Sequence, residues 1–597
     1  MAFSTGYLFP RFSLHPRTRE IAKIRNSSEP FNVAKNITNQ WRINHEDIAL
    51  APSGLHQSLF LNGSTSFPGK FPTHYEQKKD EVRHLFKKSK GDPIESLIIV
   101  DAIQRLGLDY HFQEEIETIL QQQYDSSTCV HKYQTLHDVS LFFRLLRQHG
   151  HYVSAGKDGK FKKEIRGDIN GLMELYEAVQ LSFEGEVVLD EANKFSSQIL
   201  HEYLANYTDS DRSKMLVISN KLRHPFHKSI PRILMTERYF KDFGGRTNDS
   251  GTTLRELASM DLHMRQSVYQ EELLQISKWW NEVGLTKNDL KHARNQPLKW
   301  YTWSMAIIDD SSLSWQRVEL TKSIAFIYLI DDIFDLYGTL DELISFTEAV
   351  NRWDYAAIKT LPNYMKMCYR ALLDTTNEIG RKIYKKHGYN PIDSLKTTWV
   401  NLCNAFLIEA KWLTSGELPP ADKYLENGKV SSGVHVVLVH LFFLLGHGQA
   451  NINSPAGAVH LNDTCQIISS VATILRLLDD LGTAKDEHQD GKDGSYVECY
   501  RKENVGLSIE QAREHVNDMV ASEWKSLNKE CFLNLNHVIS ASSFTKASLN
   551  LARMVPLMYS YDDNQRLPVL EEYVNFMLFN QGTSLDLEHL HQDKTIF

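Results

Sequence analysis

Ile324-Ala325-Phe326-Ile327-Tyr328-Leu329-Ile330-Asp331-Asp332-Ile333-Phe334-Asp335 runs a block of uncharged residues directly into three carboxylates. On a helix, Ile324, Ile327 and Tyr328 share the face that Asp331 and Asp335 continue, one turn apart. A second stretch repeats the arrangement. Ile468, Val471, Ala472 and Leu475 lead into Asp479-Asp480-Leu481-Gly482-Thr483-Ala484-Lys485-Asp486-Glu487, where Asp479, Thr483 and Glu487 stand at i, i+4 and i+8. Both acidic sets therefore end an apolar stripe and point toward a core. Like charges gathered at low dielectric cannot all ionise cheaply, so protons or a hard cation must neutralise them. Mg2+ fits, because it takes oxygen donors and keeps positions for water or phosphate oxygens. Arg476, one turn before Asp479, can take further phosphate oxygens in a fork. Such a mixture can hold a metal–diphosphate complex. A solvated acidic helix edge is the plain alternative for either set alone, but two sets at the ends of apolar stripes argue against it.

Outward from these motifs the helical pattern continues. Apolar residues recur at three- and four-residue spacing, as in Ile94, Leu97, Ile98 and in Leu273, Ile276, Trp280. Polar breaks at Phe243-Gly244-Gly245, Gly416-Glu417-Leu418-Pro419-Pro420 and Asp490-Gly491-Lys492-Asp493-Gly494 separate the segments. Ser508-Ile509-Glu510-Gln511 is a capping box. The 597 residues contain 30 Gly and 17 Pro, few turn-makers for a β chain, and no strand series or fixed-period repeat stands out. An all-α chain is expected, with a boundary between Gly284 and Asp289 giving two comparable helical halves.

Charge and cysteine content exclude other classes. With 66 Lys+Arg against 75 Asp+Glu, the net charge of −9 does not suit a sequence-blind nucleic-acid binder. Cys129, Cys368, Cys403, Cys465, Cys499 and Cys531 never form CxxC, so neither a disulfide framework nor a zinc cluster is suggested. The longest apolar run, Val434 to Leu445, is too short to span a bilayer. Arg11, Arg17 and Arg19 precede the first acid, Glu20, among Ser, Phe and Pro residues. That leader resembles a plastid transit peptide, and a cytosolic protein with a polar leader is the alternative.

Asp331-Asp332-x-x-Asp335 followed by Asp479-Asp480-Leu481-x-Thr483-x-x-x-Glu487 resembles the paired metal motifs of plant class I terpene synthases. Leu257-Ala258-Ser259-Met260-Asp261, Trp279-Trp280, the block from Tyr328 to Gly338, and Val430-Ser431-Ser432-Gly433 are similar to the same family. The resemblance implies a leader over 1–42, a helical α-barrel-like domain without a catalytic motif over 43–285, and a catalytic helical bundle over 286–597. It implies Mg2+ or Mn2+, about three ions per site, held by Asp331, Asp335, Asp479, Thr483 and Glu487. Asp332 would support the first set, and Arg294 and Arg476 would grip the diphosphate. The implied partner is a small prenyl diphosphate, met by a monomer with neither nucleic acid nor a membrane span.

Two departures bear on the product. Cyclising members of the family commonly carry R-x-R before the first acidic motif, whereas this chain reads Arg294-Asn295-Gln296, with Lys299 the nearest substitute for the missing cation. A tandem arginine before Trp41 is also missing. Both features resemble the subgroup that releases acyclic tertiary alcohols, linalool from geranyl diphosphate and nerolidol from farnesyl diphosphate. Trp303, Tyr328, Phe334 and Tyr559 are candidate aromatic walls for a carbocation. Ser431, Ser432 and Gly433 precede an apolar helix, where a kink would turn backbone carbonyls and hydroxyls toward the substrate. A cyclic mono- or sesquiterpene product, a prenyl-elongating enzyme and a non-catalytic helical scaffold are the competing expectations. The elongating enzyme is disfavoured because it would carry a second D-D-x-x-D.

Overall fold

The computed structural model describes residues 71–125, 135–154, 163–206, 212–231, 248–285, 290, 293–448, 461–483, 494–534, 543–561 and 566–579. All regular structure there is helical and no strand occurs among the described residues, as the apolar periodicity requires. The leader, Trp41, Cys129, the Phe243 to Gly245 break, Asp490 to Asp493, Glu487 and residues 286–289 lie outside the described residues. The described residues form two units, one over 71–182, 186–270 and 571–579, the other over 271–570 with 183–185.

The first unit comprises α1 (Phe71–Ser89), α2 (Pro93–Arg105), α3 (Gln113–Asp125), α4 (Leu136–Gln148), α5 (Ile169–Val179), α6 (Val187–Ala205), α7 (Arg212–Arg223) and the N-terminal part of α8 (Asn248–Val283). Local chemistry fixes the helix starts. Asp92 accepts from the backbone N–H of Ile94 at 2.9 Å, with Pro93 in the first turn of α2, and Thr135 caps α4. Val82, Leu97, Val100, Ile103, Leu120, Leu145 and Leu257 share one apolar core. Buried charges are paired: Arg144 donates to Glu174 at 2.6 Å and to Asp101 at 2.7 Å. Asp261 accepts from Tyr75 at 3.0 Å, from Arg265 at 2.9 Å and from Tyr110. It ties α8 to α1 inside this unit.

The second unit comprises α9 (Pro297–Ile307), α10 (Ser314–Asp332), α11 (Leu340–Arg352), α12 (Asn363–His387), α13 (Ile392–Ser415), α14 (Ala421–Ser431), α15 (Val434–Leu444), α16 (Cys465–Thr483), α17 (Tyr496–Glu503), α18 (Ile509–Lys529) and α19 (Ser543–Tyr559). A further helix, α20 (Pro568–Leu578), crosses the division between the units. α10 is buried on every side from Gln316 to Asp332 and packs against α9, α12 and α15, so it is a core helix rather than an amphipathic one. The Ser508–Gln511 capping box is present in both directions, and α13 stops at Gly416 in the left-handed region (φ 69°). Ala421–Leu444 is helical enough and apolar enough to cross a membrane by length and composition, a longer stretch than the apolar run alone suggests. Its interior burial and its break at Gly433 (φ 73°) make it part of the bundle.

α16 meets α14, α15, α18 and α19. Gly482 sets its approach to α19, because a Cβ there would stand 2.7 Å from the carbonyl oxygen of Tyr559. Gly482→Ala must force those backbones apart and is expected to cost about 1–3 kcal/mol, as overpacking does. A thermal melt of the variant matching the parent would show that the two helices yield freely.

Candidate active site

α10 ends in an aspartate pair and α16 carries one about a turn before its last residue, and the C-terminal part of a helix, with its outward carbonyls, is an unfavourable place for a carboxylate. Within each pair the two residues part company, since neighbours on a helix point about 100° apart. Asp332 is fully buried and both its oxygens are taken by Arg294, from Nε at 2.7 Å and from the backbone N–H at 2.7 Å. Asp480 is likewise bound, accepting from Tyr424 at 3.1 Å and from the backbone N–H of Tyr496 at 2.8 Å. Asp331 shares Arg294 with Asp332, and Asp479 lies beside Arg476 at 3.5 Å.

Asp331 also acts electrostatically on Asp479. Burial pushes Asp331 up to about 7 despite the Arg294 charge beside it. Burial also pushes Asp479 up to about 8; Arg476 pulls the other way, and Asp480 and Asp331 add like-charge repulsion. The two helix ends are thus within electrostatic reach, and the protein's own cations under-compensate them. Hard oxygen donors in that state fit a divalent cation. Among the described residues, no three His, Cys, Asp or Glu groups converge as a ready cluster.

Asp335 departs from expectation. The α-helix gives way at Ile333 to a π turn through Tyr337, which carries Asp335 past the buried part of the helix into an exposed position. Desolvation by the bundle packed around this turn, and next the charge of Asp331, still hold its carboxyl well above the ordinary range although the residue keeps an exposed side. Thr483 is the last residue of α16, and its side chain, like Glu487, lies outside the described residues.

The arginines sit against the acids. Arg294 donates to Asp331 and Asp332, reaches the Tyr328 carbonyl at 3.2 Å and lies 4.9 Å over the Tyr328 ring. Arg476 approaches Asp479 at 3.5 Å and Asp480 at 3.6 Å, and donates to Ser431 Oγ at 3.1 Å and to the Gly428 carbonyl at 3.3 Å. Of the kink residues, only Ser431 turns to this group, donating at 2.5 Å to Glu409. The Ser432 hydroxyl is spent on the Lys429 carbonyl at 2.7 Å, and Gly433 supplies the left-handed turn. Trp303, Tyr328, Phe334 and Tyr559 are all buried; Trp303 Nε1 donates to the Tyr328 hydroxyl at 3.0 Å. Phe334 packs on Phe406 instead, with centroids 5.5 Å apart.

Glu409, Tyr424 and Gly428 were missed by the sequence reasoning. Glu409 and Tyr424 come from helices remote in sequence from the motifs they serve. Gly428 could have been found: it lies one turn before Ser431, and a Cβ there would meet the Arg476 side chain at 3.0 Å.

An all-α bundle in which under-compensated carboxylates and guanidinium groups converge has the chemistry of a metal-dependent enzyme for a phosphorylated substrate. Residues 53–224 match the terpene synthase N-terminal domain and residues 281–526 the metal binding domain of the terpene synthase family. A tricyclene synthase of Antirrhinum majus, described as chloroplastic, is 59% identical over 595 residues, covering 97% of this chain and 100% of its own. An (E)-nerolidol synthase of Cannabis sativa is 48% identical over 516 residues, covering 84% and 91% respectively. The crystal structure of isoprene synthase from grey poplar (Populus x canescens), in complex with three Mg2+ ions and dimethylallyl-S-thiolodiphosphate, superposes with a TM-score of 0.76 at 33% identity, covering 85% of this chain and 97% of that one. The chain belongs to the plant terpene synthase family. It is a class I lyase with a divalent metal cofactor.

The raised carboxyls set a pH dependence. Asp331 and Asp479 keep a proton in the metal-free fold at pH values where the unfolded chain, near 3.8, has lost it. Metal-free stability therefore falls as pH rises from about 4 toward 7 and 8, and a cation reverses that loss. Mg2+ should raise the melting temperature more above pH ~8 than below pH ~6; an equal rise at both would remove these two groups from the cation's surroundings.

Proposed function

We propose that this enzyme ionises geranyl diphosphate, and farnesyl diphosphate where it meets it, and quenches the allyl cation with water to release an acyclic tertiary alcohol, linalool or nerolidol. The observation that carries the reading is the meeting of Asp331–Arg294 and Asp479–Arg476 at two helix ends within electrostatic reach. Asp331, Asp335, Asp479, Thr483 and Glu487 would hold Mg2+ or Mn2+, with Asp332 orienting Arg294 beside them. When bound, the cations supply charge stabilisation for the leaving diphosphate oxygens. Arg294 and Arg476 add preorganised donors for the same oxygens. The catalytic domain on this reading is the helical bundle after residue 286.

The allylic C–O bond breaks with its electron pair leaving on the diphosphate. Positive charge then lies across two carbons of the prenyl chain, and no nucleophilic side chain is needed. The Trp303–Tyr328 pair, beneath Arg294, presents ring faces that steady it. Water adds at the tertiary carbon and loses its proton to solvent or to the departing diphosphate. Only Arg294 is cationic in the segment Arg294-Asn295-Gln296, which supports release without diphosphate recapture. A cyclic product is the second reading, favoured by the 59% identity to a tricyclene synthase. That relative's description as chloroplastic, with the acid-free leader through Arg19, supports a plastid location.

Incubation of the purified chain with each diphosphate and Mg2+ is expected to yield linalool and nerolidol in the headspace, and none after chelation of the metal. Mainly cyclic hydrocarbons would replace the first reading by the second. Asp331→Ala and Asp479→Ala should each lower turnover by ~10²-fold or more with the far-ultraviolet dichroism unchanged; full activity in either removes that residue from the metal set.

A further inference from the structure

One carboxyl beside the two acidic motifs belongs to neither. Glu409 stands half-buried on α13. Its Oε1 accepts from Ser431 Oγ at 2.5 Å and from Asn427 Nδ2 at 3.2 Å, two residues one turn apart on α14. Ser431 has a single proton to give. Arg476, whose guanidinium has no acceptor, donates from Nη2 to the same hydroxyl at 3.1 Å, so Ser431 accepts from the arginine and gives its proton to the carboxyl. The three side chains form one line from α13 through α14 to α16, with Ser431 and Arg476 buried.

Another acceptor for that proton shows what the carboxyl does. Without Glu409 the hydroxyl can turn to the Gly428 carbonyl at 3.4 Å, the oxygen on which Arg476 Nε already rests at 3.3 Å. Turned that way it takes its lone pairs from Nη2 and competes with Nε. Both bonds that tie the guanidinium to α14 therefore depend on where one proton points. α13 also reaches the other acidic set: Phe406, one turn before Glu409, packs on Phe334 in the π turn that carries Asp335, with centroids 5.5 Å apart. One helix thus sets Arg476 relative to the end of α10.

We propose that Glu409 is a positioning residue, fixing the direction of the Ser431 hydroxyl and so holding Arg476 in the orientation that stabilises the leaving diphosphate. This rests on the synthase reading and deepens it. In this role the carboxyl touches neither substrate nor cation, and its effect reaches the reaction through two hydrogen bonds. Its negative charge also tempers the pull of the guanidinium on an anion, so neutralising it loosens the geometry without weakening the attraction.

The test is a double-mutant cycle of Glu409→Gln and Ser431→Ala in the full chain. Three quantities are read: turnover of geranyl diphosphate with Mg2+, calorimetric titration of inorganic pyrophosphate with Mg2+, and the metal-free melting temperature. Each single variant is expected to lower kcat by ~10-fold or more, with KM and pyrophosphate affinity within about threefold of the parent. The double variant should fall no more than about threefold below the poorer single one. Parental kcat in Glu409→Gln overturns the proposal, and so does a double variant in which the two losses multiply. Pyrophosphate affinity lost as far as kcat assigns Glu409 to binding and overturns its positioning role. If Ser431→Ala does not fold, Glu409→Ala decides, with parental kcat there overturning the proposal. A parent chain that makes no terpene overturns the synthase reading by itself; losses of melting temperature that fail to add in the double variant then support the Glu409–Ser431–Arg476 line, and additive losses overturn it.

Discussion

Two buried carboxylates, Asp331 at the end of α10 and Asp479 one turn before the end of α16, lie within electrostatic reach of one another, and the rest of the site is arranged around the cost of that repulsion. The fold could have relieved it by fully pairing each acid. Instead Arg294 spends two of its three bonds to the acids on Asp332, and Arg476 stands 3.5 Å and 3.6 Å from its two acids. Both acids consequently remain protonatable near neutrality. A site of this kind gains more from a divalent ion than a neutralised one would, because the ion removes a repulsion built into the fold. Cation binding and bundle stability are in this sense one interaction.

The paired aspartates show how such a site stays rigid while under-compensated. Asp332 and Asp480 are not spare ligands. Each is closed off by donors from other elements, Asp332 by the segment before α9 and Asp480 by α14 and α17. The second member of each pair anchors the helix end, and the first can then be held in an unfavourable place without the helix fraying away from it. Gly482 and Gly428 serve the same end by subtraction: one lets α19 close on α16, the other leaves room for the Arg476 side chain. A side chain at either position would relax the confrontation by moving one partner.

Much of this was legible in the sequence, and the failures have identifiable physical causes. Apolar periodicity and the Ser508 capping box carried the all-α fold, and the two acidic sets could be located because charge at the end of an apolar run is rare. Asp335 is exposed where i, i+4 spacing pointed it inward, because that spacing assumes an unbroken α-helix, whereas a π turn begins at Ile333. Burial all round α10 was likewise invisible, since polar residues such as Gln316, Arg317 and Glu319 imitate a solvent face while being paired or enclosed within the bundle. Arg317 shows how: its Nε and Nη2 both donate to Glu272, 45 residues away, a partner that periodicity cannot supply. Glu409 and Tyr424 escaped for the same reason.

The segment before α9 has to serve both acidic helices at once. Arg294 is fixed there by four contacts, to Asp331, Asp332, the Tyr328 carbonyl and the Tyr328 ring, so it can stabilise charge only near the end of α10. Substrate diphosphate bridging toward Asp479 would otherwise meet Arg476 alone, which Gly428 and Ser431 hold in place. On the function proposed above, two guanidinium groups held by separate elements would favour one geometry of the leaving group, the one in which the C–O bond breaks. After cleavage the diphosphate carries more charge and sits farther from carbon, and rigid donors cannot track that change. On the function proposed above, these two arginines therefore act on the bond as it breaks rather than on the diphosphate after it has left.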